Sequence, residues 1–135
     1  MKLKSWITTM LLVVTGLAQA YTPQQCIAQA VYREARGETA RGKLAVAMVV
    51  LNRSRHQAVS PCRIIAEPGQ FGWYNSRHWA KIDADSDLAA QKVLLGRHEL
   101  RGFDATSFHN FRVNPRWHLH RVARIGQHIF YKEIV

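Results

Sequence analysis

Glu34 is the residue of this chain whose type and position suit proton-transfer chemistry. It stands in Tyr32-Arg33-Glu34-Ala35-Arg36-Gly37-Glu38, where an apolar helix face runs out and a glycine is expected to end the helix. Ile27, Ala30, Val31 and Glu34 follow the i, i+3, i+4, i+7 spacing of one helix face. Two effects predict a raised pKa at such a place. Removal from water disfavours the charged form, and the negative end of the helix dipole repels a carboxylate. An acid still protonated near neutral pH can protonate a leaving group. Arg33 and Arg36 flank the site, so an ordinary surface ion pair with either is the competing account. Glu38, at i+4, would share the face of Glu34 if the helix continued, and Gly37 argues that it does not.

The elements that must position this acid begin at Thr22-Pro23-Gln24-Gln25, which has a hydroxyl N-cap, proline at the first helical position and glutamine to complete a capping box. From Lys43 the run Leu44-Ala45-Val46-Ala47-Met48-Val49-Val50-Leu51 predicts a central buried helix. A buried strand competes, but alanine, methionine and leucine favour helix. A further helix is expected to start in Asp83-Ala84-Asp85-Ser86-Asp87 and to end at Gly96. Its three aspartates suit capping better than calcium, because the glycine and terminal glutamate of an EF-hand loop are missing. The last third changes character. Thr106 to Phe111 and Ile125 to Tyr131 alternate and are rich in aromatics, as short strands or extended loops would be. Helices in the first two thirds and extended pieces in the last predict an α+β fold.

Residues 1–20 read as a signal peptide. Lys2 and Lys4 give a positive start, Ile7 to Leu17 is apolar, and Ala18-Gln19-Ala20 is a cleavage site. The apolar stretch is short for a membrane span. Residues 21–135 then form one domain, expected to be monomeric, exported to the periplasm or cell wall, and without a stable membrane span after cleavage. With Lys2 and Lys4 removed, 17 basic residues face 9 acidic ones, a formal +8. Outside the cytoplasm that charge points to anionic cell-envelope polymers. The basic residues are scattered rather than clustered, which argues against a nucleic-acid partner. Cys26 and Cys62 are the only cysteines, and an oxidising compartment predicts a disulfide between them, beside Glu34 on one side and at the Ser60-Pro61-Cys62 turn on the other.

Several separated pieces, in order, resemble one family. They are Cys26-Ile27-Ala28, Tyr32 to Glu38, Gly42 to Ala47 with Val50-Leu51-Asn52-Arg53, Gln70-Phe71-Gly72-Trp73, Ala105 to His109, Val113 to Trp117, and Ile125 to Tyr131. The set resembles the SleB-type, spore-cortex-lytic cell wall hydrolases from Cys26 to Tyr131. The resemblance implies a lysozyme-like α+β domain, similar to lytic transglycosylases, that cuts peptidoglycan between N-acetylmuramic acid and N-acetylglucosamine. It implies Glu34 as the general acid/base; Glu38 is read beside it as a support that orients the loop after the acid, with the second carboxylate of a true hydrolase as the alternative. Gln70 and Trp73 would bind sugar, by hydrogen bonding an acetamido group and packing on a pyranose face, and His109 would line the groove opposite Glu34. Trp117 and Tyr131 are expected to be structural. Phe108 brings no hydroxyl where a tyrosine would.

A second carboxylate is needed for ordinary glycoside hydrolysis, but a transglycosylase replaces it with the substrate's own groups. No cofactor and no metal are then required. Two other classes compete. A metal-dependent N-acetylmuramoyl-L-alanine amidase would take two zinc ligands from His118-Leu119-His120 and a third from His109 or His128. A basic wall-binding module without catalysis would keep the groove alone.

Overall fold

The computed structural model describes residues 20–74 and 79–134, so nearly all of the predicted signal segment lies outside the described residues. Four helices precede three strands: α1 (Pro23–Ala35), α2 (Ala40–Gln57), α3 (Pro61–Ile65), α4 (Ala84–Leu94), β1 (Ser107–Asn110), β2 (His120–Ile125) and β3 (His128–Lys132). This is the α+β order that the sequence predicts.

The start of α1 is fixed by its capping box. Thr22 Oγ1 accepts from the Gln25 amide at 3.2 Å, and Gln25 Oε1 accepts from the Thr22 amide at 2.9 Å. One face of α1 then buries Ile27, Ala30, Val31 and Ala35 against α2 and α4. The central helix is α2, in which every residue from Leu44 to Leu51 is buried, as expected of a helix apolar all round. Its N-cap is Thr39, whose hydroxyl accepts from the Gly42 amide at 3.2 Å. Asp83 caps α4 through the Ser86 amide at 2.8 Å. Cys26 and Cys62 are joined in a disulfide that staples α1 to α3. For a separation of 36 residues, chain entropy alone gives about 4 kcal/mol of stabilisation.

The three strands form an antiparallel sheet in the order β1-β3-β2, with the last strand in the middle. Phe108, Phe130 and His128 share the inner face, where Phe130 is fully buried and meets Phe103 edge-on at 5.3 Å. His109 and Tyr131 share the other face. Asn52 of α2 ties the sheet to the helices by donating to the carbonyls of Phe103 and Ala105, both at 2.9 Å.

The helix α1 ends before Gly37, as expected, with the Glu38 amide bonding back to Ala35 O at 2.9 Å and Thr39 capping the next helix. Three local expectations are refined. Ser60-Pro61-Cys62 is more than a turn, since Ser60 caps α3 with Pro61 in its first turn. Residues 120–125, where the sequence singles out only His120 as a possible metal ligand and Ile125 as the start of an extended piece, form β2. Ile125 to Tyr131, expected as short strands or extended loops, holds the end of β2, a tight turn at Gly126-Gln127, and most of β3. The strand β2 is exposed over half its length and carries two arginines, so it shows little apolar alternation.

Candidate active site

The helical half and the sheet meet around a cleft of about 290 Å³. Glu34 from the last turn of α1 and Arg53 from α2 line it on the helical side, and Gln70 and Phe71 come from the loop after α3. Ser107 and Phe108 of β1, with Trp117 from the β1–β2 connection, close it from the sheet side.

Glu34 is half-buried, and its hydrogen-bond partner is the Trp73 indole, Nε1 to Oε1 at 2.8 Å. Burial pushes the Glu34 carboxyl above its ordinary value of 4.5, opposed by that hydrogen bond, which favours the charged form. An indole N–H can only donate, so Oε1 serves as acceptor and the acidic proton belongs on Oε2. One side chain thus fixes which oxygen would carry a proton and favours the charged form when the group is ionised. Neither neighbouring arginine needs to do so. Arg36 turns back to the Tyr32 hydroxyl at 2.9 Å, and the Arg33 guanidinium lies 5.8 Å from the Trp73 ring centre.

The loop that delivers Trp73 is itself anchored. Arg53 Nη2 meets Glu67 Oε2 at 2.7 Å, both side chains are largely shielded from water, and the same guanidinium sits 5.9 Å from the Phe71 ring centre. Such a partly buried arginine–carboxylate contact is directional as well as charged. It holds a short run of turns on α2, with Gln70 N bonding Glu67 O at 3.2 Å and Tyr74 N bonding Phe71 O at 3.0 Å.

Glu38 has different surroundings. Its side chain is 9% exposed, its two oxygens accept from the Gln127 amide at 3.2 and 3.4 Å, and Oε1 lies 3.7 Å from His128 Nδ1. Burial pushes the His128 imidazole below 6.5, with Glu38 pulling it back up and His109 pushing it further down. At that distance, and with the imidazole neutral, the contact is a weak one, and the backbone amide is the firmer partner. Two glycines make room for Glu38. A Cβ on Gly126, which also has φ of 56°, would collide with Oε2, and a Cβ on Gly42 would lie 2.9 Å from the Glu38 Cβ. Glu38 therefore clamps the start of α2 to the β2–β3 turn, away from the cleft.

The remaining predicted residues divide. Gln70 is exposed on the cleft wall. Trp73 stands behind the acid as its hydrogen-bond donor, partly buried against the core and tilted on Phe71 at 5.6 Å. His109 is one layer back, bonded through Nε2 to the Tyr131 hydroxyl at 2.9 Å and through Nδ1 to Asn110 O at 2.8 Å. Its ring supports Trp117 edge-on at 5.3 Å. The expectation that Trp117 is structural is corrected, since it is 42% exposed and lines the cleft. Arg116 just before it has φ of 53°, an uncommon backbone state for a residue with a side chain, held where Asn114 Oδ1 accepts the Arg116 amide at 3.3 Å. Sequence reasoning also passed over Arg53, Phe71 and Ser107 as cleft residues. An arginine ending an otherwise apolar helical run was the available signal for the first. Among the described residues, no three His, Cys, Asp or Glu side chains are gathered as a metal site requires. No described helix is long and apolar enough to cross a membrane.

Comparison with known proteins bears on the whole domain. The profile of the Cell Wall Hydrolase family matches residues 37–131, starting three positions after Glu34. The chain is 34% identical over 115 residues to the spore cortex-lytic enzyme of Halalkalibacterium halodurans, covering 78% of this chain and 33% of that protein. It is 32% identical over 113 residues to the spore cortex-lytic enzyme of Bacillus subtilis, covering 77% of this chain and 35% of that protein. The chain thus spans about a third of the length of these relatives. Among solved structures, the catalytic domain of the germination-specific lytic transglycosylase SleB from Bacillus anthracis superposes with a TM-score of 0.72 at 26% identity, over 85% of this chain and 98% of that one. The catalytic domain of Bacillus cereus SleB gives 0.70 at 27% identity, over 87% and 97%. With the family profile spanning most of the chain and the fold shared with SleB catalytic domains over 85% or more of it, this chain belongs to the SleB-type cell wall hydrolase family.

Proposed function

We propose that this domain cleaves the glycan strands of peptidoglycan between N-acetylmuramic acid and N-acetylglucosamine, as a lytic transglycosylase with Glu34 as its general acid/base. The observation that carries the reading is the isolation of Glu34. It is the one carboxylate lining the cleft, and residues 75–78, outside the described set, contain no Asp or Glu. A hydrolase of the two-carboxylate kind needs a partner about 5 to 9.5 Å across the scissile bond. Glu38, the nearest candidate in sequence, spends its oxygens on the Gln127 amide instead.

In the proposed reaction, Glu34 Oε2 gives its proton to the glycosidic oxygen as that bond breaks, and positive charge develops at the muramyl anomeric carbon. The Trp73 N–H stabilises the carboxylate so formed. Glu34 then takes the proton from the muramyl 6-hydroxyl as that oxygen closes on the anomeric carbon, giving a 1,6-anhydro end and restoring the acid. Phe108 and Trp117 offer aromatic surface for sugar rings, and Gln70 and Ser107 offer hydrogen bonds to acetamido or hydroxyl groups. Glu38 and His109 are positioning residues, one through the β2–β3 turn and one through Trp117. Action on the wall polymer places the domain outside the cytoplasm, and residues 1–20 as a cleaved signal would take it there.

The test compares Glu34→Gln with Glu38→Gln on purified peptidoglycan, with folding checked by circular dichroism. The reading expects muropeptide release to collapse only for Glu34→Gln. Strong turnover by that variant overturns it.

A further inference from the structure

The cleft does not end at Gln70 and Ser107. Those two residues and Arg53 are shared with a second depression of about 780 Å³ that runs along α2 toward the end of β3. Its other walls are His56, Gln57, Glu67, Thr106 and Glu133. The two concavities differ in chemistry. The cleft beside Glu34 presents Phe108 and Trp117, whereas among the described residues the second lining has no phenylalanine, tyrosine or tryptophan. It holds charged groups of both signs instead, Arg53 against Glu67 and Glu133, with the His56 imidazole and amide and hydroxyl groups between them. The Thr106 hydroxyl, in a residue only 7% exposed, has no hydrogen-bond partner among the described residues. Arg53 uses one nitrogen on Glu67 and keeps further N–H donors.

Sugar rings gain from flat aromatic surface, which is where the glycan would run. A lining of paired opposite charges with amide-type donors and acceptors instead fits a short peptide carrying both carboxylates and a free amine. We infer that this depression binds the stem peptide attached to the muramyl residue, so that the enzyme reads peptide-substituted strands and not bare glycan. The peptide's carboxylates face Arg53 and His56, its free amine faces Glu67 and Glu133, and its amides face Gln57 and Thr106. This rests on the proposed glycan-cleaving reading, since it requires the strand to lie in the adjoining cleft.

The experiment measures kcat/KM of the wild-type protein on two preparations of the same glycan strands, one with stem peptides intact and one stripped of them by an amidase. Stripped strands are expected to be cut at least tenfold less efficiently, with the loss in KM. The double variant Gln57→Ala/Glu133→Gln, altered at the rim of the depression, is expected to shrink that preference to threefold or less. In parallel, free stem tetrapeptide containing a diamino acid should shift the amide NMR signals of Gln57, Thr106 and Glu133 in Glu34→Gln protein. Equal kcat/KM on both preparations with no such shifts overturns the inference while leaving the glycan-cleaving reading intact. A KM that depends on strand length but not on the peptide assigns the depression to a further sugar and also overturns it. Absence of product from either preparation removes the glycan-cleaving reading and the inference with it.

Discussion

Glu34 and Glu38 lie one helical turn apart in a single motif, yet the fold gives them opposite environments. Glu34 ends α1 half-buried at a cleft, with a neutral indole donor on one oxygen and the other oxygen left for the cleft. Glu38 lies just beyond the helix, boxed in by Gly42, Gly126 and His128, and accepts from a backbone amide 89 residues away in sequence. The difference lies in what each carboxylate is asked to do. One is partly desolvated and, among the described residues, accepts its hydrogen bond from a neutral indole, so its pKa stays raised. The other is held in place by backbone contacts that make it a structural clamp.

The comparison is broken most sharply by mutation of Glu34. Glu34→Gln is expected to reduce muropeptide release by about 10² to 10⁴-fold, the range ascribed to general acid–base catalysis, without loss of fold. Removing the disulfide as Cys26→Ala/Cys62→Ala should lower unfolding free energy by about 4 kcal/mol in urea titration, because α1 and its terminal acid lose their tie to α3. On the Glu38 side, Gly126→Ala is expected to cost about 2 to 3 kcal/mol, since a methyl there meets both an unfavourable φ and the Glu38 carboxylate. Little change in stability for that variant would show that the clamp is slack.

Two subtler measurements sharpen the contrast. Trp73→Phe removes the hydrogen bond that lowers the Glu34 pKa, so the high-pH limb of kcat/KM should move upward while the maximal rate falls. A merely structural tryptophan would leave the limb where it was. The smallest effect is on stability. Glu34 has a folded pKa above 4.5, so the native state holds the proton more tightly than the unfolded chain, and stability falls as pH rises from 4.5 through the folded value. Glu34→Gln should therefore be relatively more stable at neutral pH, with the advantage gone below pH 4.5.

Much of this arrangement was legible in the residues. Thr22, Pro23 and Gln25 announce α1, the run from Leu44 to Leu51 announces α2, and Asp83 announces the start of α4, because caps and apolar runs act locally. Glu34 was visible as the last polar position on an apolar stripe. Its partner was not, for Trp73 is 39 positions away and a tryptophan after a glycine does not reveal which carboxylate it will meet. Arg53 was lost within its motif, and Trp117 reads as structural because nothing local shows that the β1–β2 connection folds back over the cleft. Gly37 marks the end of α1 correctly, and the following helix cap and the Glu38 contact shape the turn there. Strand β2 escaped notice because its partner β3, and not its own sequence pattern, makes it a strand.

The central claim is that one acid and the substrate's own hydroxyl complete the reaction. The most direct test is to digest purified peptidoglycan with the wild-type protein in ¹⁸O-labelled water and analyse the muropeptide ends by mass spectrometry. The account predicts 1,6-anhydro-N-acetylmuramic acid ends carrying no ¹⁸O. Reducing muramic acid ends that carry one ¹⁸O would contradict it, because water and not the sugar would then have been the nucleophile.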